Sequence, residues 1–177
     1  MIFTAPQYDL YYYQEDKPLM VMLPGADDPY NPLEESIKEG KISPEINIIF
    51  FRRSEAWERI PAEEVKAAIN SIPRIEVYYA GFSLGAWDFN RYKDIADFTK
   101  VILIDGYCVD FWDKPSISDI YVMQAYENYI YQYEAMEYLT DADITIFDWR
   151  NELTHWESYT YTWDVNGLNL LKEVQDE

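Results

Sequence analysis

Residues 81–85 read Gly81-Phe82-Ser83-Leu84-Gly85 and set one hydroxyl between two glycines. The apolar run "IEVYYAGF" (75–82) precedes Ser83, and "LGAWDFNRYKDIADF" (84–98), which reads as helix, follows it. A serine on a sharp strand-to-helix turn is a nucleophile elbow: the backbone is strained, its neighbours must be small, and the hydroxyl is raised above the carboxyl ends of the strands. The pattern is short and recurs by chance, so its meaning depends on a base, because a serine attacks a carbonyl only when its proton is taken. The chain has one histidine, His155, which is expected in the loop after the last strand read from the sequence, "DITIFDW" (143–149). An acid must then hold the imidazole in the useful tautomer and stabilise its cation. Asp105, ending "KVILID" (100–105), and Glu127, just past "DIYVMQAY" (119–126), both give the chain order serine, acid, histidine, and spacing leaves the two open. The developing oxyanion needs two backbone donors; the expected ones are the N–H of Leu84, directly after the serine, and that of Ala26 in "LPGADD".

The elements that must carry these residues alternate in type. "PLMVML" (18–23), "INIIFF" (46–51), 75–82, 100–105, 119–126 and 143–149 read as strands from their apolar, β-branched and aromatic content. Between them, 31–40, 61–72, 84–98 and 129–139 read as helices, and 165–174 as a closing one, from helical apolar spacing and from proline, acid and glycine punctuation. Strands that alternate with helices of this length predict an α/β fold: a mainly parallel sheet with helices on both faces, in one domain over 1–177. "DLYYYQEDKPLMVML" adds an expected antiparallel strand ahead of the first parallel one. "KVILID" has almost no polar alternation, as a strand covered on both faces requires.

Composition narrows the function classes. With 33 acids against 14 bases the 177-residue chain carries a net charge of −19, which repels nucleic acid and anionic membranes alike. No apolar run is long enough to span a bilayer, and the N-terminal segment lacks the basic start and apolar stretch of a signal peptide. A single cysteine, Cys108, permits no intrachain disulfide and fits a reducing, cytoplasmic setting. One histidine and one cysteine leave only carboxylates for a metal, without a calcium-loop pattern, so neither metal nor cofactor is expected.

At these motifs the chain resembles the α/β-hydrolase superfamily, and within it the thioesterase domains of nonribosomal peptide and polyketide synthases. "MLPGADDPYNPL" resembles their first loop, "VYYAGFSLGAWDF" their elbow, "KVILIDGY" their next strand, and "THWESYTYTWDVNGLNLLKEV" their histidine segment and closing helix. The resemblance implies Ser83 as nucleophile, His155 as base and Asp105, rather than Glu127, as acid. Two differences stand out. Only "GYCVDFWDKPSIS" (106–118) separates Asp105 from the next strand, too short for the helical lid of those domains, and Thr154 stands where they usually have a glycine before the histidine.

The expected protein is thus a lidless serine hydrolase cleaving an acyl thioester or ester through an acyl-enzyme. The alternatives are a carboxylesterase of small esters, and a hydrolase-fold protein that binds a ligand or partner without catalysis. The expected partner is a small acyl substrate, free or on a carrier protein. Because carriers are commonly acidic, docking one would call on local bases such as Arg52, Arg53 and Arg59.

Overall fold

The computed structural model describes residues 1–4, 7–27, 31–41, 43–106, 119–125, 146–150 and 152–163. Its strands are β1 (Ile2–Thr4), β2 (Tyr8–Tyr11), β3 (Leu19–Leu23), β4 (Asn47–Phe51), β5 (Val77–Phe82), β6 (Phe98–Ile104), β7 (Asp119–Ala125) and β8 (Ile146–Arg150). Its helices are α1 (Pro32–Lys38), α2 (Ala62–Ser71), α3 (Leu84–Trp87), α4 (Phe89–Tyr92) and, from residues 155–161, α5 (His155–Tyr161). The strands form one sheet in the order β1-β2-β4-β3-β5-β6-β7-β8. β1 and β2 are antiparallel additions at one edge, and every pairing from β4 to β8 is parallel.

Period-two alternation sorts the strand side chains onto two faces, and both are covered. Leu19, Val21, Tyr79, Val101 and Leu103 pack with α2, α3 and α4 through Val65, Ile69, Ala86, Phe89 and Tyr92. Met20, Met22, Phe50, Phe82, Ile102 and Ile104 pack on the other face with Leu33 and Ile37 of α1 and Tyr159 of α5. This double cover is why β3, β4 and β5 are buried at every position and read as unbroken apolar runs.

Three expectations change in detail. The single N-terminal strand is two, β1 and β2. The helix read over 84–98 is two short ones that meet at Asp88 and end at Tyr92, and Phe98 already belongs to β6. His155 does not lie in a loop but opens a helix. The helices read at 129–139 and 165–174, and the interval 107–118 read as too short for a lid, lie outside the described residues. Among the described residues no helix is long and apolar enough to cross a membrane.

The connections matter for function at one place. β3 sits between β4 and β5, so the chain leaves β3 toward one side of the sheet and returns on the other. At such a switch point the loops leaving neighbouring strands diverge and open a crevice above their carboxyl ends. The loops that follow β3 and β5 are "PGA" and Ser83.

Candidate active site

Parallel register brings the pieces together. Leu23 of β3 pairs with Gly81 of β5, and Phe82 of β5 with Ile104 of β6. Pro24-Gly25-Ala26, Ser83 and Asp105 therefore leave three adjacent strands at one level.

Ser83 has φ +51° and ψ −115°, a conformation costly for a residue with a Cβ, and its N–H is spent on Ile104 O at 2.8 Å. The turn is sharp enough that its flanks admit no side chain. A Cβ on Gly81 would lie 2.5 Å from the backbone of Gly85, and one on Gly85 would lie 2.8 Å from the Leu23 carbonyl carbon. These contacts explain the two glycines of the motif: strand β5, helix α3 and the end of β3 touch backbone to backbone. Helix α3 is only four residues long, so any help to an oxyanion comes from single N–H groups rather than from a helix dipole. Among the described residues no acceptor engages the N–H of Leu84 or of Ala26, although both residues are buried. Gly25 sits beside the elbow, since a Cβ built on it would lie 3.5 Å from Ser83 Cβ.

Asp105 is fully buried and also left-handed, at φ +46°. Its N–H donates to Met123 O at 2.8 Å and its Oδ1 accepts the Ala125 N–H at 2.9 Å. Its Oδ2 faces His155 Nδ1 in a close hydrogen bond. A buried carboxylate is tolerable only when its oxygens are satisfied, and here each oxygen has a named partner.

His155 is presented by α5. Thr154 caps that helix, its hydroxyl accepting from Glu157 N at 3.3 Å, and the Glu157 carboxylate accepts the Thr154 N–H at 2.8 Å. The Thr154 N–H that donates to the Glu157 carboxylate, and after it the Thr154 hydroxyl, hold that exposed carboxyl below its ordinary range. One face of the imidazole stacks on Phe82, with ring centroids 4.7 Å apart and planes 27° apart, and Phe82 stacks in turn on Tyr159. The residue before the serine thus supports the ring of the histidine. Trp156 closes this aromatic group 5.4 Å from Phe82 and stays 52% exposed.

The structure therefore gathers Ser83, Leu84, Ala26, Asp105 and His155 at one end of the sheet. Glu127, the other acid read from the sequence, lies outside the described residues. Three features went unread in the sequence. The spacing Thr154-His155-Trp156-Glu157 is a capping box and signals the start of a helix at the histidine. Phe82 is an unremarked core residue of the motif. Arg53 is a buried hydrogen-bond hub with no local sequence signature.

The basic residues Arg52, Arg53 and Arg59 do come together, around a cavity of about 340 Å³ that also has Glu58, Ile60 and Glu64 in its wall. Each of the three is paired with an acid. Arg52 meets buried Asp9 and Glu34; Arg53 and Arg59 meet Asp88. Burial pushes the Asp88 carboxyl up, and Arg59, Arg53 and Arg91 pull it back in that order. Among the described residues no group of three or more His, Cys, Asp or Glu is arranged to hold a metal ion.

No family model matches the chain, and no curated protein sequence is significantly similar to it. Solved structures are similar in fold. A dienelactone hydrolase-like promiscuous phosphotriesterase from metagenomic libraries superposes with a TM-score of 0.68 at 11% identity, over 94% of this chain and 91% of its own. An α/β serine hydrolase without lid from Xanthomonas campestris gives 0.62 at 16% identity, over 99% and 92%. Acyl-protein thioesterase 2 of Zea mays gives 0.62 at 14% identity, over 96% and 97%. What this chain shares with all three is their architecture: it has the α/β-hydrolase fold.

Proposed function

We propose that the chain is a serine hydrolase that cleaves a small acyl ester or thioester. The observation that supports this most is the contact of Asp105 with His155 Nδ1, beside a serine held in a strained elbow. An imidazole fixed through Nδ1 presents Nε2 as the base. In the proposed reaction His155 Nε2 takes the Ser83 hydroxyl proton as Ser83 Oγ bonds to the carbonyl carbon. The carbonyl oxygen becomes an oxyanion facing the N–H groups of Leu84 and Ala26. The tetrahedral species collapses, the bond to the leaving thiol or alcohol breaks, and that group departs with the proton from His155. A water then repeats the sequence on the acyl-serine, releasing the carboxylic acid and restoring Ser83. The reading calls for no cofactor or metal.

The finer likeness to synthase thioesterase domains belongs to this proposal as well. The neighbours named above include a dienelactone hydrolase-like enzyme and an acyl-protein thioesterase, so ester and thioester substrates both deserve assay. Matched acetyl and butyryl esters and thioesters decide the preference. On the better series Ser83→Ala should lower kcat by about 10⁴-fold or more with the fold intact by circular dichroism. Turnover retained in that variant would remove Ser83 from the chemistry.

A further inference from the structure

Three consecutive carbonyls of the loop after β3 are held by one short segment. Arg53 Nη2 donates to Pro24 O at 3.0 Å and Arg53 Nε donates to Gly25 O at 2.8 Å. The Trp57 N–H donates to Ala26 O at 3.0 Å. Trp57 has φ +62° to do so, left-handed backbone for a large residue that remains 61% exposed. Arg53 also donates through Nη1 to Glu58 O, which closes segment 53–58 on itself. Its side chain is only 4% exposed.

A trans peptide is planar, with its C=O and the next residue's N–H antiparallel. Turning the Pro24, Gly25 and Ala26 carbonyls toward segment 53–58 therefore turns the N–H groups of Gly25, Ala26 and Asp27 the other way. Beside Gly25 stand the Phe82 ring and Ser83 Cβ, 3.2 and 3.5 Å from where its own Cβ would be. Asp88, 1% exposed at the junction of α3 and α4, lies 3.7 Å from Arg53 Nη2 and 3.3 Å from Arg59 Nε. It ties the same guanidinium to the helices that follow the nucleophile.

From this arrangement we infer that Arg53 is the positioning residue of the oxyanion hole, holding the loop after β3 so that the Ala26 N–H is aimed at the reacting carbonyl oxygen. This rests on the hydrolase reading above. Arginine suits the task because its rigid fork offers five donors in one plane, whereas a lysine concentrates its charge at one point. The role also accounts for a cation whose side chain is almost wholly covered. It makes the loop's donors preorganised, which is where an oxyanion hole derives its effect.

The test compares Arg53→Met, Arg53→Lys and, as control, Arg52→Met, whose ion pairs with Asp9 and Glu34 lie outside the site. Two rates are read: turnover of a p-nitrophenyl ester, split into kcat and KM, and the second-order rate of phosphonylation by a fluorophosphonate, in which fluoride leaves a five-coordinate phosphorus while the phosphoryl oxygen, gaining negative charge, takes the place of the acyl oxyanion. Arg53→Met should lower kcat and the phosphonylation rate by a similar factor of about 10²–10³, the cost of one lost donor, with KM within about threefold. Arg53→Lys should recover part of that loss. Arg52→Met should lower Tm while keeping kcat within about threefold, as expected of a structural ion pair. If Arg53→Met does not fold, Arg53→Lys carries the test, and a loss in kcat of about tenfold or more at constant KM supports the role. Wild-type kcat in Arg53→Met, or in Arg53→Lys where only that variant folds, overturns the inference, as does a loss confined to KM or matched by Arg52→Met. A wild type that reacts with neither reagent overturns the hydrolase reading and this inference with it.

Discussion

Asp105 and His155 stand 50 positions apart in the chain and meet Oδ2 to Nδ1, while Asp105 Oδ1 accepts the Ala125 N–H at 2.9 Å. Asp105 directly follows β6, β7 supplies the amide, and α5 delivers the histidine. Three elements thus agree on one carboxylate. Asp105→Asn would put an amide where the imidazole N–H needs an acceptor, favouring the wrong tautomer. In the proposed mechanism kcat should then fall by about 10⁴-fold. Glu127→Gln should stay within about tenfold, the scale of a change in local field. Ester turnover in the two folded variants decides between the acids.

The cap of α5 has a separable effect. Thr154→Ala removes the acceptor for Glu157 N, and loss of such a cap costs about 1 kcal/mol, within a range of roughly 0.5–2. Because the capped helix begins at His155, kcat should fall further than that stability loss alone explains. Urea unfolding and kcat, measured on one preparation, check both parts.

Part of this site is legible in the sequence for physical reasons. Gly81 and Gly85 are required by backbone contacts among β5, α3 and β3, and a required glycine leaves its mark in the sequence. Asp105 is readable because an unbroken apolar run, forced by burial on both faces, ends at it. The helical state of His155 was equally readable from Thr154 and Glu157, but a lone histidine past the last strand suggests a loop. The break at Asp88 was not legible. Its carboxylate is buried against Arg53 and Arg59, partners 35 and 29 positions away, and helical periodicity is silent about such a contact. The hydrogen bonding of Arg53 is illegible for the same reason: its acceptors Pro24 and Gly25 are distant backbone carbonyls.

Gly85→Ala tests the close approach of the elbow. The added methyl has no room against the backbone of β3, and overpacking of this kind costs about 1–3 kcal/mol. The expected result is a lower Tm together with loss of ester turnover. An unchanged Tm would show that the elbow has more space than the structure gives it.

The acid cluster at Glu34 gives a pH dependence. Burial raises the Glu34 carboxyl above 4.5; a hydrogen bond with Asp9 adds to this, and Lys38, at 2.7 Å, opposes it. The folded chain therefore binds the proton more readily than the unfolded chain between 4.5 and the raised value. Stability from this group increases as pH falls through that window and is lost as pH rises through it. Glu34→Gln removes the dependence. The variant's stability relative to wild type should improve from pH 4.5 toward pH 7, whatever its constant offset, as read by urea midpoints at several pH values. A relative decline over that range would reverse the sign of the shift.

Trp156 offers an exposed ring 6.0 Å from His155 and 5.4 Å from Phe82. In the proposed site it supplies contact area for the acyl group. Trp156→Ala should lower kcat/KM for a phenylacetyl ester by about 3–10-fold, the worth of one aromatic contact, and leave an acetyl ester within about twofold. Equal losses on both esters would remove Trp156 from acyl recognition.

The central claim is that Ser83 is an activated nucleophile. Its most direct measurement is intact-protein and peptide mass spectrometry after treatment with a fluorophosphonate, which bonds to a serine only when a neighbouring base activates it. The account predicts one phosphonyl adduct per chain on Ser83, none in Ser83→Ala, and much slower labelling in Asp105→Asn. A wild-type chain that forms no adduct, or an adduct that persists in Ser83→Ala, would contradict it.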